Sequence, residues 1–426
     1  MKKLRMEQLE RRELLTNLLL ILSDDQRIDT LGAMPKTTAL LGTSYTQSRA
    51  TTPLCCPSRA SILTGQYASA HGVHTNVSPD GGFAAFDDTT TIATVLHNAG
   101  YKTGLVGKYL NGYPNTPTPY VPPGWDTWRV LAGDGATNKY NYRLTDVQDG
   151  VVAPTQTYGT GAANYNTDVL SQKAVDFLMG TEANDSQPWF LMVAPVAPHA
   201  PYQPAPRHAK APVILPPTSP ALNEADVSDK PTYVRNMPLL TANQLASLVT
   251  ERRNELRSLM AVDEMVQRLH DVLVVNDEWS DTLVIYTSDH GLQRGEHRLM
   301  RKDVPYEESL RVPFLTNRPA IDTSALVLNI DIAPTLAAAA GVVLPGAHGV
   351  DIAAGVTRTD FLVQGWSQWA GVYVALHTGN TIFISYFTGK KEYYDLVSDP
   401  YQLASDLTLT DVAGNLARIS DILAGL

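Results

Sequence analysis

Five short stretches of this chain carry side chains whose types and spacing suit chemistry. The first is Cys55-Cys56-Pro57-Ser58-Arg59-Ala60-Ser61-Ile62-Leu63-Thr64-Gly65, in which Pro57 suits the first turn of a helix and Gly65 its end. Cys55 is therefore expected just before a helix N-terminus, where backbone N–H groups gather and favour developing negative charge. Arg59, one turn along, can face the same point. The plain alternative is a buried helix start holding two small apolar thiols. A phosphatase loop of the Cys-x5-Arg kind is excluded, because counting from either cysteine puts Ser61 or Ile62 where the arginine belongs.

Two stretches place carboxylates directly behind apolar runs. Ser23-Asp24-Asp25-Gln26 closes the run Leu18–Leu22, and Thr287-Ser288-Asp289-His290-Gly291 closes the run Thr282–Tyr286. Open α/β sheets place ligand sites at the C-terminal ends of their strands, so these two ends bring three carboxylates to one edge. Uncompensated, the three would repel one another, and a hard divalent cation with oxygen ligands is the natural partner. Taken alone, an Asp pair behind a strand is commonly just a turn and a helix cap. Gly107-Lys108-Tyr109-Leu110-Asn111-Gly112-Tyr113 and Ala197-Pro198-His199-Ala200-Pro201 also follow strand-like runs. A loop lysine or histidine standing alone is usually only solvated or hydrogen-bonded.

The elements that must hold these residues follow from the hydrophobic pattern. Apolar runs at Leu18–Leu22, Thr103–Val106, Trp189–Val193, Thr282–Tyr286 and Val312–Leu315 read as strands. Between them, Ser58–Thr64, Thr91–Asn98, Asn166–Met179, Ala242–Leu273 and Ile332–Ala340 carry apolar residues at helical spacing. Gly100 and Gly341 are expected helix stops. The alternation predicts an α/β sheet flanked by helices. The Pro- and Ala-rich stretch Ala200–Pro238 reads as a long surface excursion near a site. From about Asp360 the pattern changes, and FLVQGW, GVYVALHTG and TIFISYFTG read as successive antiparallel strands followed by an amphipathic helix. The expected division is an N-terminal extension over 1–16, a catalytic domain over 17–359 and a small C-terminal subdomain over 360–426.

Bulk properties narrow the function. A chain of 426 residues can bury a large core, and a net charge of -10 argues against a nucleic-acid-binding surface. Attraction for an anionic ligand must then come from a local pocket. The two cysteines are adjacent, with no distant partner for a bracing disulfide, so they ask for a local explanation. The run Leu18–Leu22 is too short to span a membrane. It follows a basic start but leads into Ser23-Asp24-Asp25 without a small-residue cleavage site, so it reads as a first strand and no export signal is evident. The basic segment Met6–Thr16 reads as a frayed helix, with an atypical sorting tag as the alternative.

Cys-x-Pro-Ser-Arg followed by Leu-Thr-Gly resembles the signature of the type I sulfatases, of the alkaline phosphatase-like superfamily. The enzyme that generates formylglycine recognises this string and oxidises its first cysteine, here Cys55. The resemblance runs from about Leu18 to Leu407 and includes Asp331-Ile332-Ala333-Pro334-Thr335 and the stretch from Tyr393 to Pro400. CCPSR, GKYLNGY, VPPGW, KYNYRL and PHAPYQPAPR look most like the N-acetylglucosamine-6-sulfatase branch.

This resemblance implies a large mixed, mostly parallel sheet with a small C-terminal antiparallel sheet and helix. It also implies a calcium site, open to magnesium or another divalent ion, made by Asp24, Asp25, Asp289, His290 and the modified Cys55. Arg59, Lys108 and Lys302 would neutralise sulfate oxygens, and His199 would protonate the leaving alcohol. An aldehyde hydrate at residue 55 offers two hydroxyls, one to attack sulfur and one to drive release. The expected partners are a sulfated saccharide substrate and the formylglycine-generating enzyme, with no nucleic acid and no membrane span. The family's habit is periplasmic or extracellular. His290 stands where many sulfatases have Asn, and Leu110 where many have His, which leaves the final elimination without an assigned base. His71, His74 and His297 match common family positions with no role assigned.

Overall fold

The segment Asn17–Ser23 is apolar on both of its faces, the pattern of a strand covered by helices on both sides. In the computed structural model, which describes residues 16–182 and 187–426, it forms β1 inside a nine-stranded sheet. The basic segment Met6–Thr16 lies outside the described residues except for Thr16. The other strands are β2 (Thr43–Ser44), β3 (Gln47–Arg49), β4 (Lys102–Gly107), β5 (Thr127–Ala132), β6 (Tyr142–Gln148) and β7 (Val151–Tyr158). They continue as β8 (Trp189–Ala194), β9 (Thr282–Ser288), β10 (Phe314–Thr316) and β11 (Leu326–Leu328), of which β3 and β11 pair in a separate two-stranded sheet. The order in the large sheet is β2-β10-β9-β1-β8-β4-β5-β6-β7. From β9 to β5 neighbours run parallel, and antiparallel strands flank this block on both sides.

Alternate side chains of β1 feed two cores. Leu18, Leu20 and Leu22 pack with the helices α1 (Cys55–Thr64), α2 (Ile92–Asn98) and, later in the chain, Ile332–Ala339. Leu19 and Ile21 pack on the opposite face with α3 (Asn166–Thr181) and α4 (Ala242–Val275); the helix Ile332–Ala339 is α5. Each fully buried aliphatic side chain contributes about 1.5–3 kcal/mol, so this run fixes the middle of the sheet.

The parallel register positions the chemistry. Ser23 pairs with Ser288, so Asp24 and Asp289 emerge side by side at the same sheet edge. Gly107 pairs with Ala194, which sets Lys108 beside the chain that continues to His199. All four segments leave the C-terminal ends of neighbouring parallel strands, β9, β1, β8 and β4.

Some expected elements shift. The helix read at Ser58–Thr64 begins at Cys55, so Cys55 occupies the first helical turn and does not precede it. All ten residues of α1 are buried. Gly65 closes α1 at φ 69°, where a Cβ would stand 2.8 Å from that of Ala347, so only glycine fits without strain. The last strand of the large sheet starts at Phe314 and not at Val312, because Pro313 has no N–H for the ladder. The meander β5–β6–β7 was not among the sequence-derived strands, since its mixed polar pattern hides it.

Beyond residue 360, β12 (Phe361–Ser367), β13 (Gly371–His377), β14 (Thr381–Tyr386) and β15 (Lys391–Asp395) form an antiparallel sheet. The helix α6 (Val412–Ala424) places Ile419 in its core. The excursion after Ala200 is strapped over the loop behind β9. There Arg298 donates to the carbonyls of Glu224, Ala225 and Met237, and His297 Nδ1 meets Glu224 at 2.7 Å. Among the described residues no helix is long and apolar enough to cross a membrane.

Candidate active site

The acidic pair behind β1 is held by its neighbour strand. The Asp25 N–H donates to Asp289 Oδ1 at 3.0 Å, and Asp25 adopts φ 63°, a left-handed turn that Asp tolerates. Ser58 of α1 donates to the Asp289 carbonyl at 2.5 Å and itself accepts from Asn329 at 2.9 Å, which locks the helix start against the end of β9.

Each carboxylate of this trio faces its own cation. Lys108 Nζ reaches both oxygens of Asp24, at 2.8 and 2.7 Å. Lys302 Nζ donates to Asp25 Oδ1 at 2.6 Å and lies 2.9 Å from Cys55 Sγ. Arg59 Nε donates to Asp289 Oδ2 at 2.9 Å while its NH1 holds the Lys108 carbonyl at 3.0 Å. His199 turns Nε2 toward Asp25 Oδ2 at 3.6 Å, with Nδ1 donating to the Ala200 carbonyl at 2.5 Å. Every catalytic and metal residue expected from the sequence is thus gathered around Cys55.

Electrostatics separates the two thiols. Burial opposes ionisation of Cys55, but Lys108 and Lys302 outweigh it and hold the thiol below its usual range. Cys56, on the apolar side of α1 with Asn111 N–H at 3.0 Å from its Sγ, is pushed by burial up to about 12. Reactive cysteines sit in electropositive surroundings and structural ones do not, so the geometry singles out Cys55. Burial would also raise Asp24, yet Lys108, His199 and Arg59 hold it well below the ordinary carboxylate range. Both Asp24 and Asp25 therefore stay ionised.

The donor set fits a divalent cation. Oxygen, sulfur and nitrogen atoms of Asp24, Asp25, Cys55 and His199, and again of Cys55, Asp289 and His290, lie within 4.8 Å of one another in each group. His290 donates Nδ1–H to the Gly291 carbonyl at 2.8 Å, while its buried Nε2 has no hydrogen-bond partner and points toward Asp25 and Asp289. A metal-binding imidazole is typically held in this way, with its far nitrogen bonded to a carbonyl. Burial is outweighed by Asp289 and the His290 pKa rises to about 9, so a bound cation competes with a proton there.

Other expectations resolve differently. Leu110 packs in the apolar core with Tyr109, Tyr113 and Trp128, away from the charged trio. His71 accepts from the Val73 N–H and bonds the Ser61 hydroxyl, and His297 ties down the excursion; both are structural. His74 stacks on Trp366 at 3.9 Å. The sequence reading missed Lys139, a fully buried lysine whose Nζ donates to the His199 carbonyl at 2.8 Å. It also missed the rim beside Lys302, where Arg301 lies 4.2 Å over the ring of Trp369. The only signal for Lys139 was its place in the KYNYRL string.

A strand-end acidic trio facing a cysteine in the first turn of α1 is an arrangement that could hold a divalent cation beside residue 55. The family model described as Sulfatase matches residues 16–342, and the chain belongs to the sulfatase family. It is 35% identical over 352 residues to the extracellular sulfatase SULF-1 homolog of Drosophila melanogaster, covering 78% of this chain and 30% of that protein. It is 32% identical over 347 residues to the N-acetylglucosamine-6-sulfatase of Homo sapiens, covering 76% of this chain and 61% of that one. The chain thus spans roughly a third to three fifths of these curated relatives. In fold it is similar to a protein solved in complex with its substrate D-glucosamine-2-N,6-O-disulfate, with TM-score 0.78 and 22% identity over 96% of both chains. It is also similar to the phosphonate monoester hydrolase of Agrobacterium radiobacter, with TM-score 0.70 and 21% identity over 96% of this chain and 95% of that one.

Proposed function

We propose that this chain is a sulfuric ester hydrolase acting on a sulfated amino sugar or glycan, with Cys55 converted to formylglycine and calcium held by Asp24, Asp25, Asp289, His290 and residue 55. The observation that carries the reading is the placement of Cys55 Sγ 2.9 Å from Lys302, beside the carboxylates of Asp24, Asp25 and Asp289 and the buried Arg59 and Lys108. When bound and formed, the metal and the aldehyde hydrate supply a hydroxyl that is nucleophilic near neutral pH.

The chain's own residues do the rest. Arg59, Lys108 and Lys302 hold the sulfate oxygens by charge-assisted hydrogen bonds, fixed in place before reaction and shielded from water. His199 gives its proton from Nε2 to the leaving oxygen as the imidazolium, a form that burial opposes, holding its pKa below the usual range, and that Asp25 and Asp24 favour, while its Nδ1 contact with Ala200 fixes the ring's direction. Support for a saccharide comes from the glucosamine sulfatases among the relatives and from the exposed Trp369, which carries Arg301, the residue before Lys302, over one face of its ring and leaves apolar surface on which a sugar ring can lie. The catalytic part takes 17–359 and the C-terminal subdomain 360–426, whose β12–β13 turn carries Trp369 to the rim. The test is steady-state turnover of aryl sulfate and aryl phosphate esters by calcium-loaded protein. A phosphate preference of several orders would replace this reading with that of a phosphomonoester or phosphonate monoester hydrolase. Tight sulfated-sugar binding without turnover of any ester would mean a decayed glycan-binding protein.

A further inference from the structure

Lys139 lies between β5 and β6, is 0% exposed, and points its ammonium at carbonyls. Its Nζ donates to the His199 carbonyl at 2.8 Å and to that of Thr137 at 3.4 Å, and no carboxylate among the described residues pairs with it. A buried cation without a counter-ion is costly, and chains rarely keep one for packing alone. Burial is the main influence on this amine and brings it down to about 7, with Asp24 drawing it upward and Lys108 pushing it down, so it stands within electrostatic reach of the site.

The contact falls where alignment matters. His199 sits in an irregular loop, and its backbone N–H bonds the Val196 carbonyl at 2.9 Å. Lys139 fixes the peptide that follows His199, and the imidazole Nδ1 fixes itself to the next carbonyl, that of Ala200. These two anchors set the direction of Nε2. The Lys139 carbonyl is in turn held by the Asn166 N–H at 2.9 Å, so the clamp is rooted in the start of α3.

We propose that Lys139 is the positioning residue that holds His199 in line to protonate the leaving oxygen. The inference rests on the sulfatase reading. As the ester S–O bond breaks, its electron pair passes to the alcohol oxygen, which takes the proton from His199 Nε2, while sulfur bonds to the nucleophile at residue 55. A poor leaving group needs that proton and a nitrophenolate does not. Loss of Lys139 must therefore scale with the leaving group.

The experiment compares wild type and Lys139→Met, both carrying formylglycine and calcium, on substituted phenyl sulfates from p-nitro to p-methoxy. Lys139→Met keeps the side chain's volume, and its turnover of p-nitrophenyl sulfate reports folding. The expected loss in kcat/KM grows from less than about threefold on p-nitrophenyl sulfate to about 10²-fold on the p-methoxy ester, the scale of general acid catalysis. In a His199→Ala background, Lys139→Met should add less than about twofold, because both changes remove one function. Equal losses on all esters, no loss on any, or full additivity with His199→Ala would overturn the proposal. Wild type that turns over no sulfate ester would instead sink the sulfatase reading.

Discussion

Replacing Lys302 by Met tests whether the charge balance around Cys55 is the organising feature of the site. Lys302 Nζ, itself half-buried, sits 2.6 Å from the buried Asp25 and 2.9 Å from the buried Cys55 Sγ. Removing one partner of a buried ion pair costs about 3–5 kcal/mol. Asp25 retains His290 at 3.4 Å and His199 at 3.6 Å, so the lower figure of about 3 kcal/mol applies here. Domains of about 150–250 residues lose about 2–4 °C per kcal/mol and longer chains less, so calcium-free Lys302→Met should melt about 3–6 °C below wild type. Calcium at about a hundred times its Kd adds about 2.7 kcal/mol to either protein, and it should narrow the gap because it neutralises Asp25 directly. Turnover must respond separately. A donor that binds sulfate in the transition state is worth about 10²–10³ in kcat, so aryl sulfate turnover should fall by that factor even with calcium. Calorimetry and steady-state kinetics on the same preparations decide it. Unchanged melting without calcium, together with kcat within about threefold of wild type, would refute the reasoning.

Three further outcomes are expected. Cys56→Ala should keep aryl sulfate kcat within about twofold while costing about 1–2 kcal/mol in denaturant melts, because the Asn111 N–H loses its acceptor and a small void forms; inactivity would erase the distinction between the thiols. Burial and Arg49 hold His377 down to about 4 although Glu307 pulls it upward, and the unfolded value is about 6.5. Its contribution, about 3 kcal/mol, is full above pH 6.5 and lost as pH falls toward 4, so urea melts of His377→Gln should be flatter than wild type across that window, and parallel curves would contradict the shift. Trp369→Ala, at a ring that is 60% exposed, should raise KM for a sulfated saccharide about tenfold and leave p-nitrophenyl sulfate unaffected; an equal effect on both would remove the saccharide role.

Much of the site was legible because apolar runs reveal parallel strands, and the residue after such a run lies on the ligand-binding edge. Asp24, Asp289 and Lys108 were found in this way, and the register Ser23 to Ser288 accounts for their convergence. Cys55 and Arg59 stood out because the string that holds them is specific. The start of α1 was read three residues late, since Pro57 suits a first helical turn and no side chain caps the helix before Cys55. β6 was hidden because Arg143, Thr145 and Asp146 interrupt its apolar alternation. Lys139 was missed for a physical reason: lysines are seldom buried, so nothing local marks one that is, and its partner His199 is distant in sequence. The stacking of Arg301 on Trp369 likewise depends on a turn of another sheet.

The central claim is that residue 55 acts as an aldehyde and not as a thiol. Peptide mass spectrometry on protein made with the formylglycine-generating enzyme, with aryl sulfate turnover of the same samples, tests it most directly. The account predicts formylglycine at Cys55, an intact thiol at Cys56, and turnover proportional to the converted fraction. Full activity in protein whose Cys55 is entirely a thiol, or in Cys55→Ala, would contradict it.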